Sequence, residues 1–137
     1  MIVDWYGLLS RFHLNRVKLI EAASRLVGFI AVRFYLASLL ALNVINWLLA
    51  YYVNKNVSQS LVVLHYDVNM GVNLIGNVTA IYVIPALGLA FIAINFLLLL
   101  NIYGKSKFLI HLLLGSSLLI SLFLIASTIS IYLINFR

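Results

Sequence analysis

The residues of this chain best suited to chemistry stand in one stretch, Leu64-His65-Tyr66-Asp67-Val68-Asn69-Met70. Its alternation has period two, so an extended strand would set His65, Asp67 and Asn69 on one face and Leu64, Tyr66, Val68 and Met70 on the other. An imidazole and a carboxylate two residues apart on a strand can share a divalent cation or polarise a water molecule. With Tyr66 and Asn69 beside them, His65 and Asp67 form the candidate ligand-binding group. A zinc site needs three or four ligands, and this stretch offers two of the favoured types, so no metal and no other cofactor is assigned. The plainer reading is that His65 and Asp67 bond each other and the loop backbone and fix the loop's shape. Gly71 then serves as a turn residue, and Val72-Asn73-Leu74 returns as the second arm of a short hairpin. Such a hairpin is marginal alone in water, so its apolar face is expected to pack on helix ends or lipid.

What positions that stretch is set by three uncharged apolar runs, Phe34 to Val53, Ala80 to Tyr103 and Phe108 to Phe136. A helix rising about 1.5 Å per residue crosses a hydrocarbon core of about 30 Å in roughly 20 residues, and each run is long enough. The 137 residues are 65% hydrophobic and 9% charged, with mean hydropathy +1.14, against about 25% charged in soluble domains. The expected fold class is an all-α membrane protein forming a single integral domain over residues 1–137. An N-terminal amphipathic interfacial helix at 4–27 precedes spans at 28–53, 80–103 and 108–136. An extended, hairpin-like outer loop at 54–79 joins the first two spans, and an inner loop at 104–107 joins the last two. Span one reads as a retained signal anchor, being too long for the apolar core of a cleaved leader. Without cysteine, disulfides and thiolate chemistry are excluded.

Charge orients the bundle. Arg11, Arg16, Lys18, Arg25 and Arg33 precede or enter span one, and Lys105 and Lys107 flank the turn before span three, whereas Lys55 and Arg137 fall on the other side. This asymmetry predicts a cytoplasmic N-terminus and an outer C-terminus in the plasma membrane. The net charge of +6 is therefore topological, and the basic residues lack the aromatic interleaving of a nucleic-acid surface. On the amphipathic helix Trp5, Leu8, Leu9, Phe12, Leu19, Ile20, Ala23 and Val27 share one side, with Arg11, Lys18 and Arg25 opposite at seven-residue intervals. These three are the candidate membrane-surface residues for anionic lipid at the inner face. The alternative is a helix that only sets the angle of entry of span one. Arg33, at the edge of the first run, is expected to extend to the headgroups.

Inside the bilayer the polar residues fall into stripes. Asn43 and Asn46 share a face of span one with Ala50, and Ser117, Ser121, Thr128 and Asn135 lie within about 40° of each other on span three. Ala86, Ala90 and Ala93 make a small-residue face on span two, opposite Asn95, so this span can meet a neighbour on each side. These residues are the expected helix-packing set. Pro85 either kinks span two or begins it. Span three overshoots the core and should tilt or project outward. His111 reads as interfacial. Asp4, Glu21 and Asp67 are the only acidic residues and all lie outside the spans, which argues against proton-coupled transport.

His65-Tyr66-Asp67, Gly71-Val72-Asn73-Leu74-Ile75-Gly76 and Pro85-Ala86-Leu87-Gly88 give the chain a likeness to a known group. From Leu64 to the C-terminus it resembles an uncharacterised group of small three-span membrane proteins of candidate-phyla-radiation bacteria. The resemblance implies an architecture and no activity. Asp67 stands where that group tends to have Asn, and Asn73 where it tends to have Asp. A weaker loop likeness to bacteriocin-immunity-type membrane proteins, offset by one residue, carries no function. The expectation is a non-enzymatic accessory or scaffold subunit of a larger membrane assembly, whose partners are other membrane subunits or copies of itself. The alternatives are an outward-facing ligand- or metal-binding protein using the His65 loop, and a homo-oligomeric pore lined by the Ser/Thr face of span three.

Overall fold

The computed structural model describes residues 20–57, 61–67, 69, 71–102 and 106–136, without the side chains of His65, Tyr66, Asp67 and Asn73. Arg11, Arg16, Lys18 and Lys105 lie outside the described residues, as does most of the predicted amphipathic helix. Helix α1 covers residues 20–28 of what is described. One extended residue, Phe29 (φ −73°, ψ 123°), separates it from α2, Ile30–Asn56. The Phe29 N–H bonds the Leu26 carbonyl at 3.1 Å, and the Arg33 guanidinium bonds the Gly28 carbonyl at 3.2 Å. Two of the acceptors that a helix end leaves open are thus satisfied. Within α1 Leu26 is buried against the bundle, while Ile20 and Val27 are exposed.

After α2 the chain forms an antiparallel hairpin of β1, Leu61–Asp67, and β2, Gly71–Asn77. Gly71 adopts φ +77°, a left-handed turn conformation open chiefly to glycine. Asn69 lies in the turn between the strands, a correction to its expected place on the strand face. The pairing is irregular. Val63 opposes Ile75, His65 opposes Leu74 and Tyr66 opposes Val72, which leaves Leu64 and Asn73 as extra residues that break the period-two alternation.

The chain then winds through a 3-10 turn, Val78–Tyr82, directly into α3, Val83–Ile102. The Asn77 side chain caps this start, accepting from the Thr79 N–H and hydroxyl, both at 3.0 Å. Pro85 is the third residue of α3, so the span begins before it. Its missing N–H would have served the Ile81 carbonyl, to which the Val83 N–H donates instead. Helix α4, Lys107–Asn135, completes the chain.

The helices α2, the 3-10 turn with α3, and α4 are each long and apolar enough to cross a membrane, and the architecture is that of a multi-pass membrane protein. Most of their apolar surface points away from the bundle, as lipid requires. Two apolar clusters hold the interior. One joins Leu26, Val32, Leu39, Ile92, Leu99 and Leu114. The other joins Ala50, Val53, Val57, Val62, Ile81 and Ile131, so the hairpin packs on the helix ends through Val62. Aromatic rings gather near the second cluster, with Trp47 stacked on Tyr82 at 5.9 Å and Tyr52 against Tyr132 at 5.5 Å.

Candidate functional site

Between the two apolar clusters the polar side chains of the spans meet one another. Asn43 of α2 donates from Nδ2 to the Pro85 carbonyl of α3 at 2.9 Å. One turn further along α2, Asn46 accepts at Oδ1 from the Thr128 hydroxyl of α4 at 2.7 Å. Asn95 of α3 donates to the Ser117 hydroxyl of α4 at 2.6 Å. Asn43, Asn46, Ser117, Ser121 and Thr128 are all buried. The serines also donate back along their own helix, Ser117 to Leu113 and Ser121 to Ser117, each at 2.9 Å. Among the described residues every buried side-chain nitrogen and oxygen has a partner.

The arrangement is a neutral seam. Carboxamides and hydroxyls offer no proton acceptor near neutral pH, and each interhelical bond between them contributes roughly 0.6 to 2 kcal/mol in a membrane. The three helices come together at Gly88. At Gly88 a Cβ would stand 2.6 Å from Asn43 Nδ2 and 3.4 Å from Leu124 Cδ1. Sequence reasoning named Asn43 and missed both of its partners, the Pro85 carbonyl and the glycine beside it. The only sequence signal was a glycine three residues after a proline on an otherwise alanine-bearing helix.

Asn135, the last residue of the polar stripe on α4, reaches out of the bundle. Its Oδ1 accepts from the Val63 N–H at 2.8 Å while its Nδ2 donates to the Val63 carbonyl at 2.9 Å and to the Ile131 carbonyl at 2.8 Å. A carboxamide presents the same donor and acceptor as a backbone peptide, so Asn135 pairs with β1 as a neighbouring strand residue would. The C-terminal end of α4 thus anchors the hairpin.

The predicted loop site is placed only through its backbone. His65, Tyr66 and Asp67 pair across the hairpin with Leu74, Val72 and Gly71, and their side chains lie outside the described part of the structure. Asn69 is exposed. Of the membrane-surface set, Arg25 alone is described, and it pairs with Glu21 at 2.6 Å on an exposed helix face, which offsets its charge. Ala86, Ala90 and Ala93 all lie exposed on α3, on the side away from Asn95. His111 rests edge-on against Tyr35, ring centroids 5.7 Å apart. Comparisons with protein-family models, curated proteins and solved structures gave no match to this chain.

Proposed function

We propose that this chain is a non-enzymatic accessory or scaffold subunit of a larger membrane assembly. In this reading its N-terminus is cytoplasmic, its hairpin and C-terminus are outside, and it sits in the plasma membrane. The observation that carries it is the contrast between two faces of α3. Toward α4 the helix spends Asn95 on a hydrogen bond within the chain, whereas Ala86, Ala90 and Ala93 stand exposed. Small side chains let another helix backbone approach closely, and close packing is the main attraction between helices in lipid. The carboxamides and hydroxyls of the seam are used within the chain, so the alanine face of α3 is left for packing.

The burial of Ser117, Ser121 and Thr128 against neighbouring helices weighs against a pore lined by that face. The orientation rests on the basic residues before α2 and at Lys105 and Lys107, by the positive-inside tendency. The test is Ala90→Phe in a chain solubilised in mild detergent and cross-linked in the membrane beforehand. The expected result is loss of the cross-linked complex, homo- or hetero-oligomeric, with the thermal stability of the isolated chain unchanged. A complex retained in full by Ala90→Phe and by Ala86→Phe would remove this face from assembly.

A further inference from the structure

We propose that the cleft between the α1–α2 bend and the start of α4 binds one anionic glycerophospholipid, with the phosphate at Lys107 and an acyl chain in the apolar floor. The cleft has a volume of about 210 Å³, and its walls include Phe29, Ala31, Val32 and Ile110 together with Lys107 and His111. Among the described residues that line it none is acidic. The bend at Phe29, one extended residue that interrupts the helix, forms part of its wall.

Electrostatics there call for an anion. Lys107 is the first residue of α4, at the end of a helix where the macrodipole is already positive and a cation is disfavoured. The first turn carries no acidic residue, and the Ser106 side chain makes no capping bond. Among the described residues the one salt bridge joins Arg25 and Glu21, so the carboxylate of Glu21 is committed and Lys107 has no ion-pair partner. His111 lies one turn along the same face, where an imidazole N–H can reach the ester or glycerol oxygens below a phosphate.

The apolar walls select a lipid over a soluble anion. Val32 is buried in the apolar cluster with Leu39 and Leu114, so a chain lying in the cleft would continue the bundle's own interior. A zwitterionic headgroup would bring a second cation close to Lys107, so a lipid with net negative charge fits better. Basic pockets between transmembrane helices are a recurring form of anionic-lipid site. This inference rests on the membrane-spanning architecture and is independent of whether the exposed alanine face of α3 takes a partner.

The test is native mass spectrometry and thermal unfolding of the full-length chain in mild detergent. Phosphatidylglycerol, phosphatidylcholine with the same acyl chains, and inorganic phosphate are titrated separately. The expected result is retention of phosphatidylglycerol about fivefold above phosphatidylcholine, the preference that one basic group near an anionic lipid provides. Lys107→Gln should erase that preference, and Ala31→Phe, which fills the cleft, should lower retention of both lipids. The lipid-free melting temperature of each variant shows whether it has folded. A preference unchanged in both folded variants would place the attraction on the N-terminal basic residues and overturn the site. Equal retention of the two lipids by the unaltered chain, or an equal thermal shift from inorganic phosphate alone, would overturn it as well.

Discussion

The Asn43 amide nitrogen donates to the Pro85 carbonyl at 2.9 Å, and a methyl group at Gly88 would stand 2.6 Å from that same nitrogen. Asn43 and Gly88 are therefore one feature: the missing side chain on α3 is the space the carboxamide on α2 occupies. Gly88→Ala should destabilise the bundle by about 1–3 kcal/mol through lost bonding and overpacking, although alanine is the better helix former by about 1 kcal/mol. In an Asn43→Ala background the obstruction is gone, so Gly88→Ala should be neutral or stabilising. Unfolding in a denaturing detergent series reads both. A Gly88→Ala chain as stable as the parent would mean that the two residues do not share this space.

Asn46 and Thr128 bond across α2 and α4. A double-mutant cycle with Asn46→Leu and Thr128→Val should return a coupling of roughly 0.6–2 kcal/mol, while insertion is retained because Leu and Val enter the bilayer readily. The loss should appear in the stability of the isolated chain. A loss seen only in oligomer stability would put Asn46 at an interface between chains.

The legible parts of this fold are those written in side chains. Span lengths follow from where Arg33, Lys55 and Lys107 interrupt the apolar runs, because ionised groups are costly in hydrocarbon. The α4 stripe was legible because Ser121, Thr128 and Asn135 recur every seven residues, nearly two whole helical turns. What escaped depends on groups that no residue type records. The acceptor for Asn43 is a backbone carbonyl, and Asn135 grips the backbone of Val63, so neither partnership leaves a trace in residue identity. The strand alternation around His65 read cleanly, yet Leu64 and Asn73 intrude as extra residues, and such an insertion changes which face the next side chain takes.

Asn135 holds Val63 by its N–H and carbonyl, next to that irregularity in β1. Asn135→Asp keeps an acceptor for the Val63 N–H but loses the donor and sets a carboxylate against the Val63 and Ile131 carbonyls. The hairpin should loosen from the bundle, with faster hydrogen exchange at the Val63 amide and little change at the α2 amides around Asn43. Exchange at Val63 equal to that of the parent would show that Val62 and the apolar cluster dock the hairpin without the clamp.

The orientation can be read directly, because the chain has no cysteine and any introduced thiol reports alone. Lys55 lies in the last turn of α2, near the hairpin, while Ser106 and Lys107 begin α4 at the opposite end of the bundle. An impermeant maleimide applied to intact cells should label Lys55→Cys and leave Ser106→Cys untouched until the membrane is opened. The physical basis is the excess of Lys and Arg on the Ser106 side, which favours retention in the cytoplasm. Labelling of Ser106→Cys in intact cells, with Lys55→Cys protected, would invert the bundle. The hairpin carrying His65 and Asp67 would then face the cytoplasm, and the cleft at Lys107 would face the outer leaflet.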